Sequence, residues 1–218
     1  MLLTAGVVGF SNSAGAVDGV ILITQANALA GNVTPGDTAG FPVTITRSGS
    51  YRLAGNLTVP NLEQRAIQIN IRDVTFDLNG FQISGQGNCD PGGGGDCTSN
   101  NGDGIQSVGL STITNGKIRG MGGNGVSCSS TCRIEGVSVI ANNGDGINAK
   151  NLSLISGNIA VANGGFGLNL GDNQSTNHST GFVNNICDSN SLGGVSGGTS
   201  MGGNVCPSPV LDSETLMP

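Results

Sequence analysis

The hexapeptide Asn-Asn-Gly-Asp-Gly-Ile occupies residues 100–105 and recurs, letter for letter, at 142–147. Halfway between the two copies stands Gly-Gly-Asn-Gly-Val at 122–126, and the same interval beyond the second copy brings Gly-Gly-Phe-Gly-Leu at 164–168. Over this stretch the chain therefore repeats every 21 residues, and upstream of it the spacing is less regular. Gly104, Gly125, Gly146 and Gly167 form one column, Gly102, Gly123, Gly144 and Gly165 a second, and Ile105, Val126, Ile147 and Leu168 an apolar third. After a six-residue insertion the columns resume at Gly194 and Val195. A fixed period of this length marks a stack of structural repeats, each burying its apolar side against its neighbours.

Further columns subdivide the repeat. Ile113, Ile134 and Ile155 align, joined by Phe182. Ile118, Val139 and Ala160 align, followed by Cys187. Asn142 and Asn163 align, followed by Asn190. Each repeat thus holds about three short apolar stretches separated by Gly/Asn-rich corners, which suits short parallel strands wound into a solenoid. Corner glycines are expected at positive φ, and Asp103, Asn124 and Asp145 share a column because Asn and Asp tolerate that conformation. Stacked Asn side chains are expected to hydrogen-bond along their column. Upstream, Val74, Phe76 and Leu78 alternate with Asp73, Thr75 and Asp77, the pattern of a half-buried strand.

The segments Ser-Tyr-Arg-Leu-Ala-Gly-Asn-Leu-Thr-Val (50–59), Val-Thr-Phe-Asp-Leu-Asn-Gly-Phe-Gln-Ile-Ser-Gly (74–85), Asn-Gly-Asp-Gly-Ile and Gly-Gly-Asn-Val-Cys (202–206) resemble the bacterial right-handed parallel β-helix repeat proteins of the pectate-lyase-like superfamily. The resemblance covers roughly residues 41–206. It implies an all-β, right-handed parallel β-helix of about seven coils. That fold hosts lyases, epimerases, hydrolases and adhesins, so it does not by itself select an activity.

The organisation expected around the coils is a signal-peptide remnant at 1–16, an N-terminal cap and loop at 17–40, and a tail at 207–218. Residues 1–10 are apolar, and Ala14-Gly15-Ala16 fits a small-x-small cleavage site. The run is too short to span a membrane. A cap at 17–40 would shield the strand edges at an open solenoid end. Six cysteines agree with export to a secreted, periplasmic or cell-surface location. Cys89 and Cys97 bracket a glycine-rich insertion. Cys128 and Cys132 flank a tight turn. Cys187 and Cys206 are separated by nearly one repeat, which places them on adjacent rungs. Zinc is disfavoured, since Cys128-x₃-Cys132 has no second ligand pair and the chain holds one His.

A net charge of −6 opposes nucleic acid or an anionic membrane as partner. His178 reads as a solvated loop residue, and Asp103 and Asp145 as corner residues rather than ligands. The Gly-rich 91–96 stretch lacks the Lys-Ser/Thr of a phosphate loop. Lys117 and Arg119 flank Ile118, and Arg133 and Glu135 flank Ile134, so all four should face outward. The resemblance implies that an enzyme of this fold would use such groups on a uronate, with Lys117 or Arg119 as base and Arg133 as carboxylate partner. An Asp-Pro-His motif is absent, Asp90-Pro91 being followed by Gly92. No acidic calcium cluster is evident, although calcium is the one cofactor left open. Two classes follow. The first is a secreted or cell-surface structural or binding module that engages a polysaccharide, a surface partner or further copies of itself. The second is a small polysaccharide lyase or epimerase. Three or more of Lys, Arg, Asp, Glu, His or Tyr converging in a groove from adjacent coils would favour the enzyme.

Overall fold

The computed structural model describes residues 19–92, 94–171 and 179–207. The leader expected at 1–16, His178 and the tail beyond Pro207 lie outside them. The chain is a parallel β-solenoid with three faces per turn. Among the described residues the first face is a seven-stranded sheet made of Val43–Ile45, Ile67–Ile69, Ile105–Ser107, Val126–Cys128, Ile147–Ala149, Phe166–Leu170 and Gly193–Gly197. Seven rungs enclose six full turns. The second and third faces belong to one 12-stranded sheet, because Ser111–Arg119 and Arg133–Ile140 run unbroken around the bend between them.

Most strands bury alternate side chains, and parallel register stacks them in files. Tyr51, Phe76, Ile113, Ile134, Ile155 and Phe182 are paired rung to rung on the second face. Ile83, Ile118, Val139, Ala160 and Cys187 do the same on the third. All are buried, and together with the Ile105–Leu168 file they form one continuous core. The apolar columns of the sequence are therefore the interior of the stack.

Two corners carry buried asparagine ladders. Asn163 Oδ1 accepts from both Asn142 N, at 3.1 Å, and Asn142 Nδ2, at 3.0 Å. Asn190 Oδ1 repeats the pattern on Asn163 at 2.9 Å. A second ladder runs through Asn158, Asn185 and Asn204. Each internal amide also donates to a carbonyl of the rung below, as Asn185 Nδ2 does to Ile155 O. A buried amide left without such partners would cost about 1–3 kcal/mol, so the ladder turns a polar interior into a fixed register.

The repeat glycines have a different cause from the one their sequence suggested. Gly104, Gly125, Gly146 and Gly167 are not at positive φ; the left-handed positions fall at other corners, among them Leu110, Thr131 and Leu152, and Gly120, Ala141 and Ala162. The glycine column is required by close approach. A Cβ on Gly125 would lie 2.7 Å from Gly146 O and 2.8 Å from Val139 Cγ1. Asp103, Asn124 and Asp145 likewise sit in their column for hydrogen bonding rather than for backbone conformation.

The N-terminal end of the first face is closed by side chains. Asp37 Oδ1 accepts from Thr44 N at 2.7 Å, and Thr34 Oγ1 accepts from Thr46 N at 3.1 Å and donates to Thr44 O at 2.6 Å. These are the outward groups of the first rung, so its edge offers little to another strand. Residues Val20–Ile23, not anticipated as a strand, extend the second face by pairing with Ser50–Leu53. Helix Gln25–Ala30 follows, with Thr24 forming a capping box with Asn27.

The insertion between Gln82–Ser84 and Ile105–Ser107 lies across the stack rather than projecting from it. Asn143 Nδ2 donates to Thr98 O at 2.9 Å, and Gly87 N and Asn100 N donate to the carbonyls of Gly120 and Gly122. The loop spanned by the Cys89–Cys97 bridge thus covers corners of later turns.

Candidate binding face

The first face presents a file of uncharged polar side chains. Thr44, Gln68, Gln106, Ser127, Asn148, Asn169 and Ser196 are in direct register from rung to rung. They are the outward members of strands whose neighbours point into the core, and each is half-buried. At about 4.8 Å per rung the file runs roughly 29 Å along the solenoid axis. Beside it, one exposed charge, Lys150, stands in the file of Thr46, Asn70, Val108, Ser129 and Gly171.

Hydrogen bonding orders part of the file and leaves part open. Asp145 Oδ2 accepts from Asn148 Nδ2 at 2.9 Å and from Asn169 Nδ2 at 2.8 Å, and Asp145 Oδ1 accepts from Phe166 N at 2.8 Å. Two amides are thereby locked by one carboxylate, with their oxygens left as acceptors. Gln106, Ser127 and Ser196 have no side-chain hydrogen bond among the described residues. Gln and Ser each supply both donor and acceptor groups. The file is therefore able to hydrogen-bond a hydroxylated ligand in either sense.

The neighbouring Asp103 column bonds upward. Asp103 Oδ1 accepts from Asn124 N at 2.8 Å, and Asn124 Oδ1 accepts from Asp145 N at 2.8 Å. Burial holds the Asp103 carboxyl above its usual pKa, against the opposing pull of the Asn124 hydrogen bonds and the Arg65 charge.

The charged candidates lie on the other two faces. Ile118 is buried while Lys117 and Arg119 are exposed on the third face. Lys117 is in register with Gln82 and Ser138, and Arg119 with Ser84 and Ile140. Arg133 is in register with Thr112, five positions along the strand from Lys117 and beyond the left-handed Asn115. Its Nε donates to Glu135 Oε2 at 2.9 Å. The three basic groups thus share a sheet without meeting. Arg133 and Asp73 line a shallow recess of about 320 Å³ with Leu110, Thr131, Leu152 and Leu154, which holds two charged groups. No cluster of three His, Cys, Asp or Glu side chains suited to a metal occurs among the described residues.

The cysteines pair as Cys89–Cys97, Cys128–Cys132 and Cys187–Cys206. The last joins neighbouring rungs, next to the Ile186–Val205 bridge, with Cα atoms 4.4 Å apart.

Sequence reasoning identified the outward charged residues and missed the polar file. The signal was present as the residue that follows the Val, Ile or Leu of each first-face strand, but Gln, Ser and Asn at one repeat position carry no chemical motif. No protein-family model and no curated protein matches the chain. Among solved structures it is similar to the periplasmic alginate epimerase AlgG, at 12% identity over 71% of this chain and 49% of that chain, with a TM-score of 0.32. A point mutant of the same epimerase gives 14% identity over 76% of this chain and 54% of that chain, with a TM-score of 0.34. The chain spans about half the length of these structures.

Proposed function

We propose that this protein is an exported, right-handed β-solenoid that binds glycan along its seven-stranded face, without chemistry. The carrying observation is the file from Gln68 to Ser196, an uncharged run of amides and hydroxyls held in register on a rigid sheet. Sites built on sheets need little reordering on binding, so modest hydrogen bonds to a hydroxyl-rich polymer are not offset by loop entropy. Three disulfides support an oxidising compartment, secreted, periplasmic or at the cell surface. The right-handed path is the one that parallel connections within a sheet overwhelmingly take. The Asp37 and Thr34 contacts oppose end-to-end association through the first rung.

The alternative, a lyase or epimerase acting on a uronate polymer, would place Lys117 or Arg119 as base and Arg133 as carboxylate partner. Their separation in register weighs against that assembly. No helix among the described residues is long and apolar enough to cross a membrane. Affinity electrophoresis through gels containing neutral or uronate polysaccharides tests the reading, with unsaturated-product absorbance followed in parallel on the uronates. Retardation by at least one polymer without product formation is expected. Product formation abolished by Lys117→Ala or Arg119→Ala would establish the enzyme instead.

A further inference from the structure

We infer that Phe166, with Asn148, Asn169 and Ser196, forms a sugar subsite on the first face selective for an uncharged hexose or pentose unit. This rests on the glycan-binding reading above and narrows it to a place and a class of ligand.

Phe166 is the exception in its column. Asp103, Asn124 and Asp145 each use a side-chain oxygen to accept a backbone N–H from the rung above. A phenyl ring cannot do this. Its presence therefore has no explanation in the hydrogen-bonded architecture of that corner. Phe166 is nevertheless half-buried in a strand, in register with Gly193, whose lack of a side chain leaves the next position in the file uncovered. Asp145, one rung below, contacts Asn148 and Asn169, which places this column beside the polar file. An aromatic surface thus adjoins ordered amides. Sugar rings use this combination, because their C–H faces pack on an aromatic ring while their hydroxyls need donors and acceptors around the rim.

The charge of the ligand follows from Asp145. Its carboxylate already accepts three hydrogen bonds and fixes both asparagine amides with their oxygens as the remaining acceptors. A uronate carboxylate between Phe166 and the two asparagines would face another carboxylate and acceptor oxygens, while the exposed cation beside the file, Lys150, lies on its opposite side, over Gly171. A neutral sugar hydroxyl can donate to those same oxygens. The subsite should therefore discriminate against uronates, and Asn124, which fills Asp145's position one rung lower, shows that the column accepts an amide there.

Affinity electrophoresis with galactomannan, xylan and laminarin, against polygalacturonate and alginate, tests this in the wild type and in Phe166→Leu, Phe166→Ala and Phe166→Tyr variants. Leucine preserves apolar bulk if alanine proves too destabilising. Retardation by at least one neutral polymer is expected, weakened about tenfold or more in Phe166→Leu with the thermal midpoint retained, and kept in Phe166→Tyr. Asp145→Asn should raise uronate binding relative to neutral binding. Binding of uronates alone, or wild-type affinity in Phe166→Leu, would overturn the subsite while leaving a glycan-binding protein. Failure to bind any polymer of either class would overturn both.

Discussion

At the residue scale, one position in a file carries consequences for many rungs. Ile134 is fully buried and stacked between Ile113 and Ile155. Ile134→Ala should cost about 2–4 kcal/mol, since flanking rungs tied by ladders cannot collapse into the cavity. Denaturant melting checks this, and a loss below about 1 kcal/mol would mean the file is not close-packed. Asp103 offers a test of opposite sign. Burial raises its pKa in the fold, so the fold favours the protonated form. Its stabilising contribution is present below the unfolded value of 3.8 and is lost as pH rises through the folded value. Asn124 performs the same backbone acceptance with an amide. Asp103→Asn should therefore keep or raise the thermal midpoint at pH 7 and remove part of its acid dependence. A large loss of stability at pH 7 would show that the charge itself is needed.

At the element scale, what the sequence revealed depended on whether the repeat spacing survived. The ladder of Asn142, Asn163 and Asn190 was readable because its first step is 21 residues. The ladder of Asn158, Asn185 and Asn204 was hidden, since its steps are 27 and 19 residues and Val137 occupies its position one repeat earlier. Cys187 and Cys206 both follow the insertion, so their spacing of 19 residues, close to one turn, stayed readable. Their bridge holds the last rung, where 193–203 is glycine-rich. Cys206→Ser should lose about 3 kcal/mol, the value expected for opening a loop of about 20 residues. Limited proteolysis should then cut first between Gly193 and Gly203, with the strands from Ser111 to Ile140 still protected. Simultaneous loss of the whole stack would mean that the last rung is not a separable unit. The glycine columns teach the converse lesson. Their period was legible, but the reason for them is contact between backbones on successive rungs, which appears only once the turns are stacked.

At the scale of the whole molecule, the fold was legible because a fixed apolar period of this length can be satisfied by few architectures, whereas the candidate site was not. Lys117, Arg119 and Arg133 attracted notice as charges in a chain with few, and strand register then spread them along the sheet. The polar file on the first face becomes visible only when single, chemically unremarkable residues from seven rungs are brought into line. The central claim is that this face, and not the basic third face, is where the protein meets a glycan. The most direct measurement is quantitative affinity electrophoresis on whichever polymer retards the wild type, comparing Gln106→Ala/Asn169→Ala with Lys117→Ala/Arg119→Ala, both checked by circular dichroism. The account predicts that the first pair loses about tenfold or more in affinity, the sum of two or so hydrogen bonds, while the second binds as the wild type does. Retained binding in the first pair, with loss in the second, would contradict it.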